Sequence, residues 1–189
     1  MAKQQRIKVQ LPKGFVKYLA IIVAALLFIG YIEMTTKFRL YDFAIVIGFI
    51  LIGAAARFPE RFMPVSLGVE LVSTFTIISA IRYGSLVGAI VGSAAFIISG
   101  YFTIERPQDI FIAVLGFIGV AFFAPIVYAF FAHDLGMMII ALTIGYDLFT
   151  GAFYFFMGYN IVNILRFSVV HIIANYFIMG YLGMKLLGV

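Results

Sequence analysis

Seven apolar runs divide the chain, and each is long enough to read as a helix crossing a bilayer. The hydrophobic positions are continuous within a run and do not alternate with polar ones, so a transmembrane barrel is not expected. The predicted spans cover 15–32, 41–57, 64–82, 85–103, 110–132, 136–157 and 160–187. Polar or helix-breaking segments separate them: ARFPERFMP, a tight turn at Arg82-Tyr83-Gly84, TIERPQD, a turn at His133-Asp134, and MGYN. The expected fold is all-α, a polytopic integral membrane bundle of six to seven helices. It is expected to form one transmembrane domain over 1–189, with 1–14 as a basic cytoplasmic tail.

Composition supports this class. Of 189 residues, 65% are hydrophobic and 11% charged, with mean hydropathy +1.15. A soluble domain is about 45–50% apolar and about 25% charged. Cysteine is absent, which removes disulfides, thiolate ligands and cysteine nucleophiles. Charge then orients the bundle. With the N-terminus inside, the inside segments collect Lys3, Arg6, Lys8, Lys13, Lys17, Arg57, Arg61 and Arg106, against Lys37, Arg39, Arg82 and Lys185 outside. That bias favours a multi-pass protein of the cell membrane with its N-terminus in the cytoplasm.

Several runs contain residues that lipid would not tolerate. The last carries LRFSVVHIIANYF, with Arg166, His171 and Asn175. At 100° per residue, Asn160, Asn163, His171 and Asn175 fall within an arc of about 120°, and Arg166 lies about 60° beyond Asn163. Such a stripe belongs against the bundle interior or a water-filled space. Glu70, in LGVELVSTF with Ser73 and Thr74 on its face, and Asp147, in ALTIGYDLFTG, supply acids inside apolar sequence. The expected site is a polar pocket between the third, sixth and seventh spans, built from Glu70, Arg82, Asp147, Asn163, Arg166, His171 and Asn175. A structural ion pair of Arg166 with Glu70 or Asp147 would also explain these charges. Gly84, Gly88 and Gly92 mark close helix packing, and Pro125 is expected to bend its helix.

Other chemistries lack their motifs. There is no GxxxxGK[ST], HExxH or GxSxG, and the acids do not form the dense aspartate motif of membrane-embedded CDP-alcohol phosphotransferases. An enzyme is not expected, nor a cofactor, a metal site or a nucleic-acid partner.

The stretch VELVSTFTIISAIRYGSLVGAIVGSAAFIISG and the ending VVHIIANYFIMGYLGMKLLG resemble the substrate-binding S components of energy-coupling-factor (ECF) transporters. The same superfamily includes the rod-shape-determining membrane protein D family. The resemblance covers about 64–189. It implies a small helical bundle that binds a vitamin or metal ion between the outer ends of its helices. It also implies partners, a transmembrane coupling subunit and two ATPases, docked on small-residue faces such as Ala20 and Ala24 or residues 53–56. S components usually have six spans with both termini inside, one fewer than the runs counted here. Two functions follow as expectations: a solute-binding subunit of an uptake system, or a non-enzymatic membrane scaffold of a larger complex.

Overall fold

A computed structural model describes residues 40–62, 68–103, 105–131 and 134–187. The basic tail, the predicted first span and the faces at Ala20 and Ala24 lie outside the described residues. Those that are described form helices α1 (Leu40–Ala56), α2 (Val72–Tyr83), α3 (Ser85–Thr103), α4 (Pro107–Phe130), α5 (Leu135–Phe156) and α6 (Ile161–Ile178). A 3₁₀ turn, Phe58–Phe62, follows α1. A π turn, Met179–Gly183, carries α6 into the short α7, Met184–Leu187. No strand occurs among the described residues. Five helical stretches there are long and apolar enough to cross a membrane.

The third predicted span departs from expectation. Its helix holds only twelve residues, about 18 Å at 1.5 Å per residue, against a hydrocarbon core of about 30 Å. The chain enters α2 irregularly through residues 68–71, with Gly68 at φ 73°. A side chain there would also sit 2.9 Å from the Phe167 carbonyl of α6. Glycine therefore serves both the left-handed backbone and a close helix approach. Positions 72–80 of α2 are all buried. The apolarity that reads as a lipid-facing span is that of a short helix enclosed by its neighbours.

Helix α3 packs against α1, α2 and α4, and α4 packs on α5. Val87, Val91 and Ala95 of α3 belong to the same buried core as Phe117 of α4. A run of aromatic contacts links Phe96, Phe117 and Tyr146 at 5.3 and 4.8 Å. Two of the helix glycines pack closely: a Cβ on Gly88 would fall 2.6 Å from the Ala80 Cβ, and one on Gly53 would touch Ala95, Phe75 and Val72. Pro125 lies inside α4, which continues past it to Phe130.

Helix α6 is attached differently. Its only buried residues are His171 and Asn175, while Val162, Leu165, Val169, Ile173 and Phe177 are exposed. Its capping is local, with Asn160 Oδ1 accepting from the Val162 amide at 2.8 Å.

Gly88→Ala should lower the unfolding free energy in detergent by about 1–3 kcal/mol through overpacking. Gly48→Ala has open space around it and should be neutral or stabilising by up to about 1 kcal/mol. Equal thermal unfolding of the two variants would refute the tight α2–α3 packing.

Candidate functional site: a carboxylate-walled cavity

The interior polar residues form one connected chain. Asp147 on α5 lies 2.7 Å from Nδ1 of His171. Nε2 of His171 lies 3.1 Å from Ser73 Oγ and 3.5 Å from Glu70 Oε1. Ser73 donates to Glu70 Oε1 at 2.9 Å. Both imidazole nitrogens thus face oxygen atoms, and a doubly protonated ring would satisfy both carboxylates as a donor. Glu70 sits just before α2, where the exposed amides of a helix N-terminus favour negative charge. One turn along α6, Asn175 accepts from Thr74 Oγ1 at 3.3 Å.

The chain continues to Arg57, directly after α1. Its Nε lies 3.4 Å from Glu70 Oε2, and its Nη2 pairs with Glu60 at 2.8 Å and also with Glu105. Nη1 donates to Ser99 at 2.9 Å, and the guanidinium lies 4.0 Å from the Phe96 ring centre. Arg57 is 4% exposed. A guanidinium cannot shed its charge, so burial at this depth requires the carboxylates around it. Glu105, in the loop between α3 and α4, has its carboxyl raised above the ordinary glutamate value, because burial outweighs the pull of Arg57.

These groups wall a cavity of about 370 Å³. Tyr146, Asp147 and Tyr154 face it from α5, and Asn163, Phe167 and Ser168 from α6. Glu60, Glu105 and Asp109 close the end that carries the interhelical loops. Asp109 accepts from Tyr159 Oη at 2.6 Å and from Arg106 Nε at 2.9 Å. A second hollow of about 360 Å³ between α4 and α5 is lined by apolar residues and Tyr146. Among the described residues, no three histidine or carboxylate groups are arranged to hold a metal ion.

The structure brings Glu70, Asp147 and His171 together and places Asn163 on the cavity wall. Asn175 shares the His171 face of α6 but binds Thr74. Two expected site residues lie elsewhere. Arg82, at the opposite end of α2 from Glu70, is exposed and donates to the Leu186 carbonyl at 2.9 Å. Arg166 is exposed, with no hydrogen bond or ion pair among the described residues. It lies about 140° around the helix from His171, so a helix that buries His171 turns Arg166 away. The expected Arg166 pairing with Glu70 or Asp147 is therefore replaced by Arg57 and His171.

Arg57, Glu60, Glu105 and Asp109 are the residues that sequence reasoning missed. A signal was present: the loops at this end of the bundle, ARFPERF and TIERPQD, each mix arginine with acids. Compared with known proteins, the chain matches no family, no curated protein and no solved structure.

Arg57→Gln should cost about 3–5 kcal/mol of unfolding free energy, because it strands buried carboxylates. Arg166→Gln should stay within about 0.5 kcal/mol. Denaturation of both variants in the same detergent checks this, and comparable losses would put Arg166 back in the interior.

Proposed function

We propose that this chain is the membrane-embedded substrate-binding subunit of a small-solute uptake system. The solute occupies the cavity between α5, α6 and the entry to α2. The observation that carries this reading is the cavity itself, whose volume falls in the range of about 300–1,000 Å³ typical of ligand pockets. It combines aromatic walls with ionisable groups inside an apolar bundle, the setting in which intramembrane charges most often serve a transported solute. The resemblance to ECF S components points the same way. The nonhelical entry to α2 at this cavity also fits transporter architecture, in which interrupted helices line the solute site.

The resemblance to S components implies a coupling subunit and ATPases as the partners that power uptake. The small-residue face at 53–56 is poorly suited to dock them, because Gly53 and Ala54 are already buried within this chain. A scaffold is the second reading, favoured by the three carboxylates that hold Arg57. Ion pairing alone, however, leaves the cavity without a purpose.

Native mass spectrometry of the full chain in gentle detergent separates the two. The wild type should carry a co-purifying small mass, and Ser168→Phe, which fills the cavity from α6, should lose it while remaining folded. A wild type that is bare, with a spectrum matching the variant, would favour the scaffold.

A further inference from the structure

The cavity has a chemical bias that narrows its ligand. Among the described residues, five carboxylates belong to it or its wall: Glu60, Glu70, Glu105, Asp109 and Asp147. Among the described residues, Arg57, Arg106 and, when protonated, His171 form ion pairs with them.

The local bonding shows where positive charge is wanted. Asp147 is 6% exposed and its Oδ1 faces His171; the Ser168 side chain also interacts with the carboxylate, yet the buried Oδ2 makes no direct hydrogen bond. Glu105 Oε2 and Asp109 Oδ1 are also buried and unpartnered. All three residues line the one cavity. An unpaired carboxylate oxygen in a low-dielectric site is costly, and a donor carrying positive charge relieves that cost best. Among the described residues, the arginines beside these acids are committed elsewhere: Arg57 to Glu60, Glu70 and Glu105, and Arg106 to Asp109 Oδ2. Phe96 faces Arg57 and Tyr159 faces Arg106, while Tyr146, Tyr154 and Phe167 also line the cavity, beside the ring contacts they make with His171 and Tyr159. Aromatic faces beside carboxylates suit an organic ammonium. The absence, among the described residues, of a converging metal-ligand set favours such a cation over a bare metal ion.

Resting on the solute-binding reading above, we infer that the cavity selects a small organic cation, with an ammonium group directed to Asp147, Glu105 and Asp109 and an apolar body against Tyr146, Tyr154 and Phe167.

Three compounds with the same phenol ring and a short arm test the charge: tyramine, a cation; tyrosol, neutral; and 4-hydroxyphenylacetate, an anion. Thermal unfolding of the purified full chain is followed as each is titrated. Tyramine should stabilise the wild type at concentrations about tenfold or more below tyrosol, and the anion should have no effect. Asp147→Asn and Glu105→Gln, both close in shape to the native residues, should each erase the tyramine advantage, read as the ratio of tyramine to tyrosol on the same variant. Equal or better stabilisation by the neutral or anionic compound, or none by any of the three, overturns the cation assignment. A neutral or anionic compound retained by the wild type in native mass spectrometry would also overturn it, while leaving the solute-binding reading intact. A wild type that retains nothing would count against that reading itself.

Discussion

His171 holds the last long helix to the bundle, and the cavity depends on that attachment. An apolar helix in lipid gains little from burying more apolar surface, because lipid is as apolar as its neighbours. Helix α6 leaves Val162, Leu165, Val169 and Phe177 exposed and buries only a histidine and an asparagine. His171 bridges Asp147 on α5 to Ser73 and Glu70 at α2, and Asn175 meets Thr74 one turn away. Gly68 lets the approach to α2 come against the α6 backbone at the same level. A helix fixed by polar bonds at one level need not close against α5 along its whole length. The cavity lies where Asn163, Phe167 and Ser168 face Tyr154 and Asp147.

The second half of the network explains how so many acids persist in an apolar bundle. Buried ions lose hydration worth several kcal/mol each, and pairing offsets this only with good geometry and further hydrogen bonds. Arg57 meets that condition through three carboxylates, the Ser99 hydroxyl and the Phe96 ring. Glu70 joins the two halves, since it faces both Arg57 and His171. The cavity wall and the helix attachment therefore share Glu70 and Asp147. A substitution at Glu70 or Asp147 acts on both, whereas Glu105 and Asp109 stand nearer the loop end and act on the cavity with less effect on α6.

Much of the architecture is legible in the sequence because run length and apolarity report lipid-scale helices directly. The run at 85–103 coincides with α3, and the turn at Gly84 falls where the structure has it, with φ 99°. Helical periodicity also puts His171 and Asn175 on one inward face, although the Asn160 and Asn163 it groups with them are exposed. The run at 64–82 misleads because enclosure by protein and exposure to lipid demand the same apolar residues, and only Gly68 hints at the break. Arg166 misleads because its angle is small from Asn163 but large from His171, and His171 sets which face is buried. Arg57 is illegible for a different reason. Its partners Ser99 and Glu105 lie 42 and 48 residues away, so its loop position suggests a topology charge until tertiary packing brings them together.

Reassigning Arg57 also weakens the orientation argument, since a buried, paired arginine says little about which side of the membrane it faces. The positive-inside count, dominated by the basic tail, places the loop after α1 inside. Uptake requires the cavity end that carries this loop to face outward, so the two expectations conflict there. The absence of native cysteine makes a direct test simple. Phe62, at the tip of the turn after α1, is 73% exposed. A single Phe62→Cys replacement is probed in intact cells with a membrane-impermeant maleimide. Capture of solute from outside predicts labelling without permeabilisation; labelling only after the cells are opened would contradict it.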